Sequence, residues 1–193
     1  MDEPSASAGY RARPVLPRGG VLRTARLVLR PARARDVDAY TRLWTDREVR
    51  RFLGGPVDGE RLRLRQQRFD SRPRVFSVTA LPSDEVLGTV SVDVADRPDG
   101  RWELAYSFLP EHWGRGYGRE AVAAVLTWVL DTVPLGDASV IAVTEEANVR
   151  SRRLLEAVGM GARERFVEFG RPQVLYGIER GERQGAGGAP DAG

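Results

Sequence analysis

The run His112-Trp113-Gly114-Arg115-Gly116-Tyr117-Gly118-Arg119-Glu120-Ala121 joins a glycine-rich turn to a helix start directly after a strand-like segment. The first amides of a helix lack intrahelical partners and its macrodipole is positive there, so this spacing suits an anion, a phosphate above all. Gly116 and Gly118 allow the backbone to come close, because neither places a Cβ between amide and ligand. Upstream, Trp102, Leu104, Tyr106 and Phe108 alternate with Glu103, Ala105 and Ser107 as in a half-buried strand that Pro110 ends. Downstream, Ala121, Val122, Val125, Leu126, Val129 and Leu130 form one apolar stripe of a helix.

Three readings compete for this loop. It could be a plain strand-to-helix connection, since glycine-rich turns are common. Gly116-Tyr117-Gly118-Arg119-Glu120-Ala121 also satisfies the dinucleotide pattern G-x-G-x-x-A, with Asp137 at about the expected distance. Against that reading, Asp137 precedes the next apolar run where a ribose-binding acid should follow a strand, and the motif lies mid-chain. No Gly-Lys-Ser/Thr follows, which excludes a Walker loop. The third reading is a cradle for the pyrophosphate of coenzyme A.

The segment from Glu103 to Ala121 resembles the acyl-CoA-binding segment of the GNAT superfamily of N-acetyltransferases, most nearly the branch that contains the ribosomal-protein N-terminal acetyltransferases. Two more segments agree in the right order. Thr24-Ala25-Arg26-Leu27-Val28-Leu29-Arg30-Pro31 resembles that branch's first strand, and the run Asn148 to Met160 its last helix. The likeness covers about residues 21–181. It implies acetyl-CoA as cosubstrate and direct attack by a bound primary amine, either a peptide or protein N-terminus or a small molecule. Arg115, Gly116, Tyr117, Gly118 and Arg119 would then cradle the pyrophosphate, and the N–H of Phe108 or Leu109 would hold the thioester oxygen. Asn148 matches a residue that orients cofactor or water in relatives, and Ser151 one that protonates the leaving thiolate. As N-cap and N3 of a helix, the same two residues are equally explained by capping. Many superfamily members carry a tyrosine acid where this chain has Leu155, which leaves Ser151 or water as proton donor. Trp113 stands where the superfamily signature begins with arginine or glutamine. The alternative within the same likeness is a catalytically weak acyl-CoA-binding or regulatory domain.

Acyl transfer from a thioester to an amine needs a neutral amine, a polarised carbonyl and a proton for the thiolate. With no cysteine and a single histidine, a covalent enzyme intermediate is not expected. Glu103 is the candidate base, directly or through water, because it falls on the polar face of its strand. Tyr106 reads as core, and His112 as a shaper of the cradle entrance. An α-amine with a pKa of about 8 is roughly a tenth neutral at pH 7, whereas a lysine-like amine at about 10.4 is almost entirely charged, so so sparse a base favours α-amines.

The elements that must position these groups follow from patterning. A strand at about Arg26–Arg30 leads to a helix that Asp36 could cap, with Val37, Tyr40, Leu43 and Trp44 on one side. A second helix, Asp58–Phe69, is arginine-rich with no evident partner surface. Strands at Val75–Ala80, Val86–Val94 and Trp102–Phe108 follow, the last after a turn at Arg97–Gly100. After the glycine-rich helix come a strand at Ala138–Thr144, a helix from Asn148 closed by Gly159, and a hairpin of Arg163–Phe169 with Gln173–Glu179. The expected fold is α/β: a GNAT-like mixed, largely antiparallel sheet of about seven strands with about four helices. Residues 1–20 and 182–193 read as disordered tails around one domain, 21–181. The amino-terminal residues have no long apolar run, so neither a leader nor an anchor is expected there, and a cytoplasmic protein is. All thirty basic residues are arginine and the net charge is +3. Arg23, Arg26, Arg30, Arg33 and Arg35 are followed closely by Asp36, Asp38, Asp46 and Glu48, lack interleaved aromatics and read as solvated surface, with no nucleic-acid or membrane partner and no metal site expected. Acceptor identity, acyl-chain preference and a homodimer stay open.

Overall fold

A computed structural model describes residues 20–69, 75–94, 101–132 and 139–185; the rest of both tails, the Arg97–Gly100 turn and Asp137–Ala138 lie outside the described residues. In chain order the elements are β1 (Leu22–Arg23), β2 (Leu27–Pro31), α1 (Val37–Thr45), α2 (Gly59–Gln67), β3 (Val75–Ala80), β4 (Val86–Val94), β5 (Trp102–Phe108), α3 (Tyr117–Thr132), β6 (Ser139–Glu145), α4 (Val149–Ala157), β7 (Gly161–Glu168), β8 (Arg171–Glu179) and α5 (Arg180–Gly185). The two-residue β1 and the six-residue α5 are additions to the expected order. Both are too short to carry a periodic signal. The helix α5 continues from β8 into the segment read as a tail.

The strands form one eight-stranded sheet in the order β1-β2-β3-β4-β5-β6-β8-β7. Every pairing is antiparallel except β5 with β6. That parallel pair is joined only at Trp102↔Val140 and Glu103↔Ile141. Beyond those residues β5 stays in register with β4 to Phe108, and β6 stays with β8 to Glu145. Each strand is held by its outer neighbour, so the two diverge and leave a wedge at their carboxyl ends. The helices that follow them, α3 and α4, both begin at the mouth of that wedge.

The α3 stripe is buried as its periodicity requires: Ala121, Val122, Val125, Leu126, Val129 and Leu130 are each at most 3% exposed. Burying a valine or leucine side chain stabilises by about 1.5–3 kcal/mol, so this face holds α3 firmly against the sheet. A smaller cluster joins Tyr40, Trp44, Val57 and Phe69, with the Tyr40 and Phe69 rings edge-to-face at 4.5 Å. Helix α2 buries no side chain. It docks through the partly buried Leu62, which packs against that cluster, and through polar residues, Arg65 lying over the Trp44 ring and Gln66 donating to Thr41 Oγ1 at 3.0 Å.

Two expectations are corrected here. Asp36 does not cap α1 with its side chain; its carboxylate turns inward and accepts from Arg30 Nη1 and Nη2 (2.6 and 2.9 Å), Arg33 N (2.9 Å) and Ser77 Oγ (2.9 Å). Arg30 accordingly is not solvated surface, being 2% exposed. A buried guanidinium needs such a partner, and the partner lies only six residues away in the chain.

Candidate active site

The wedge opens into a cavity of about 710 Å³ lined by the ends of β5 and β6, the first turns of α3 and α4, and the Glu48–Leu53 loop. At its α3 side the first intrahelical bond runs from Glu120 N to Gly116 O at 3.1 Å. The N–H groups of Tyr117, Gly118 and Arg119 come before that bond and have no helical acceptor, and all three residues line the cavity. Gly116 turns the chain with φ at +79°, a conformation glycine adopts without strain. The backbone therefore forms a cradle of amides without helical acceptors that faces the cavity.

This cradle is braced from β2. Arg26 donates from Nε to Glu120 Oε2 at 2.7 Å, from its own N–H to Glu120 Oε1 at 3.1 Å and from Nη1 to the Arg115 carbonyl at 3.1 Å. Its guanidinium also lies 4.7 Å from the Tyr117 ring centroid, and Thr24 Oγ1 donates to Glu120 at 2.5 Å. Burial raises the Glu120 pKa, but these hydrogen bonds outweigh it and hold the carboxyl below its ordinary value. Arg115 itself is exposed and is not part of the lining; its carbonyl is what the brace uses.

At the end of β5 the antiparallel ladder sets which of the amides of Phe108 and Leu109 faces the wedge. Leu109 N donates to Leu87 O at 2.9 Å, so Leu109 is bonded to β4 and its side chain is buried against Leu43 and Val49. Alternation then turns the Phe108 N–H away from β4, toward the wedge. The Phe108 carbonyl on the same side accepts from Trp113 Nε1 at 2.8 Å. Trp113 thus pins the end of β5 while its ring supports the Arg150 guanidinium at 4.1 Å, which gives this residue a structural reason that the sequence signature did not provide.

At the α4 side Asn148 caps the helix, its Oδ1 accepting from Ser151 N at 3.1 Å. Ser151 Oγ lies 2.8 Å from the Tyr106 hydroxyl, and Tyr106 also donates to the Ser151 carbonyl at 3.2 Å. Sequence alternation assigned Tyr106 to the core. Its ring does pack against the core, but the hydroxyl reaches the cavity because β6 is no longer alongside β5 there. Burial pushes the Tyr106 phenol up to about 12, against a lowering contribution from the Ser151 hydrogen bond.

Glu103 shares a strand face with Ala105 and Ser107, which line the cavity, but does not line it itself; it sits at the closed end of the wedge opposite Ile141. His112 is 8% exposed and lines the cavity, with Nε2 lacking a hydrogen-bond partner and Glu85 Oε1 at 3.7 Å. The structure therefore brings Phe108, Gly116, Tyr117, Gly118, Arg119, Asn148 and Ser151 together around one cavity, and leaves Glu103, Leu109 and Arg115 outside its lining. Among the described residues no group of His, Asp and Glu could hold a metal ion.

A family model described as the acetyltransferase (GNAT) domain matches residues 26–161. The chain belongs to the GNAT acetyltransferase family. Among curated proteins it is 28% identical over 144 residues to an uncharacterised N-acetyltransferase, p20, of Bacillus licheniformis, covering 71% of this chain and 80% of that protein. The fold is shared with a GNAT-family acetyltransferase from Bacillus anthracis (TM-score 0.74, 21% identity, 84% of this chain and 99% of that one). It is shared too with the spermidine N-acetyltransferase of Vibrio cholerae, solved with CoA and spermine (TM-score 0.70, 18% identity, 83% and 99%).

Proposed function

We propose that this chain is an acetyl-CoA-dependent N-acetyltransferase of the cytoplasm that acetylates a primary amine by direct attack. The observation that carries the reading is the single cavity joining the free first-turn amides of α3 to the Phe108 N–H and the Ser151 hydroxyl. The amides of Tyr117, Gly118 and Arg119 would take the pyrophosphate, and the Phe108 N–H the charge that builds on the thioester oxygen. The amine nitrogen forms the new C–N bond as the C–S bond breaks. The nitrogen loses one proton and the thiolate gains one from Ser151. From its place at the closed end of the wedge, Glu103 would receive the amine's proton through water rather than by contact.

A base at that distance favours acceptors already partly neutral near pH 7, which are α-amines before lysine-like amines. This supports the likeness to the ribosomal-protein N-terminal branch, while the polyamine-binding relative from Vibrio cholerae keeps small amines in the panel. The second reading, a CoA-binding domain without turnover, is favoured by that same recessed Glu103. Thiol release from acetyl-CoA, followed with N-terminal peptides and polyamines, decides between them. Turnover is expected on at least one α-amine, with Glu103→Gln slowing it at pH 6.5 and recovering as pH rises; micromolar CoA binding without turnover on any acceptor would establish the binding domain instead.

A further inference from the structure

Ser151 lines the cavity and is held at both ends. Its N–H is fixed by Asn148 and its Oγ by Tyr106, whose ring is anchored in the core. A phenol carries one proton. When that proton points to the Ser151 carbonyl, Ser151 must direct its own proton at Tyr106. When it points to Ser151 Oγ, the serine proton is released toward the cavity. The two arrangements differ only by rotation of two O–H groups.

We infer that Tyr106 and Ser151 form a two-hydroxyl relay, in which Tyr106 donates to Ser151 Oγ while Ser151 donates to the departing thiolate. The inference rests on the acetyl-transfer reading above. The S–H bond forms as the serine O–H breaks, the serine O–H is remade from the phenol, and the phenolate is reprotonated from water, to which Glu103 returns the proton it took from the amine. Magnitudes explain why the relay needs the tyrosine. An aliphatic hydroxyl is about as weak an acid as water and far weaker than a phenol, so serine alone would be left as a strongly basic alkoxide. The Tyr106 phenol, at about 12, is the stronger acid and yet remains fully protonated across the neutral range. The ionisable group acting on it across the sheet is Tyr176, whose hydroxyl donates to Glu156 at 2.8 Å and accepts from Arg152 at 3.2 Å. A tyrosine thus reaches the leaving-group side from β5, although Leu155 occupies the helical position at which many superfamily members carry one. Tyr106 acts through Ser151 and is a positioning residue.

The test compares Tyr106→Phe, Ser151→Ala and the double variant on the best acceptor found for the wild type. Tyr106→Phe is expected to lower kcat by about 10²-fold, the lower end of general-acid effects, while the acetyl-CoA KM and calorimetric CoA affinity change less than about threefold. The double variant should be no slower than Ser151→Ala, because groups acting as one unit are not additive. Replacing Tyr106 with 3-fluorotyrosine keeps the shape and raises the acidity, so kcat should shift with no change in melting temperature. Independent, additive losses, or wild-type kcat in Tyr106→Phe, would overturn the relay. Should that phenylalanine variant fail to fold, an unchanged kcat in the fluorotyrosine protein overturns it equally. A wild type that turns over no acceptor would instead defeat the acetyl-transfer reading.

Discussion

Gly116 and Gly118 lack a side chain for different reasons, and the structure separates them. Gly116 has φ at +79°, and a Cβ there would lie 3.4 Å from Arg26 Nη2, so the demand is on the backbone turn and its brace. Gly118 lies inside α3 with ordinary helical φ, and its missing Cβ would come within 3.0 Å of Leu154 Cδ1 and 3.5 Å of the Phe108 ring. That glycine therefore serves the packing of α3 against α4 and the cavity floor as well as any ligand. Gly116→Val should lower CoA affinity at least about tenfold, since charge-assisted amide contacts are each worth roughly 1.5–3 kcal/mol. Left-handed backbone without glycine costs about 1–2 kcal/mol, so its melting temperature should fall only modestly. Gly118→Val should also lose stability, because its side chain crowds Leu154 Cδ1 and the Phe108 ring. Calorimetry with CoA and thermal melts of both variants check this; a folded Gly116→Val protein with unchanged CoA affinity would remove the pyrophosphate from α3.

At the scale of elements, the glycine turn and helix α3 were legible in the sequence because their signals are local: glycines, a helix start and an apolar stripe within about 20 residues. Tyr106 was not, because strand alternation assigns a residue to core or solvent on the assumption that the neighbouring strands stay paired. Where β5 and β6 part, the core face becomes a cavity wall. The brace from β2 was equally hidden, since Arg26 and Glu120 are 94 residues apart. It matters because Glu120 places a carboxylate in the first turn of α3, beside the site proposed for an anion. Arg26 neutralises it. Arg26→Ala should therefore weaken CoA binding by about three- to tenfold, as expected for one uncompensated charge at several ångströms in partly screened surroundings. Stability should hardly move, since Arg26 is half exposed and surface ion pairs contribute little. Adding Glu120→Gln should restore most of the affinity. If the double variant binds CoA as poorly as Arg26→Ala alone, the brace acts through shape and not through charge.

At the scale of the whole molecule, the arginine-rich composition conceals a cation, Arg30, that among the described residues belongs to the interior. Arg30 ties β2 to the turn before α1 through Asp36 and to the β3–β4 turn through Asp84, while Ser77 of β3 and Tyr40 of α1 complete the network. Patterning could not single it out, because an arginine reads as exposed until its carboxylate partner is placed. Removing that partner is costly: Asp36→Asn leaves a guanidinium 2% exposed with only a half-exposed Asp84 beside it. Breaking a buried pair this way destabilises by about 3–5 kcal/mol, and at this chain length each kcal/mol lowers Tm by about 2–4 °C. Burial on its own would raise the Asp36 pKa, but the hydrogen bonds from Arg30, Arg33 N–H and Ser77 win and hold it below the ordinary value. A carboxyl depressed in the folded state stabilises fully above its unfolded pKa of about 3.9, and that contribution disappears as pH falls through the lower folded value. The Tm difference between wild type and Asp36→Asn should therefore be widest and constant from pH 5 to 7 and should narrow below about pH 4. Melts across that range provide the measurement, and a gap as wide at pH 3 as at pH 7 would mean that the Asp36 charge is not what holds Arg30 in the core.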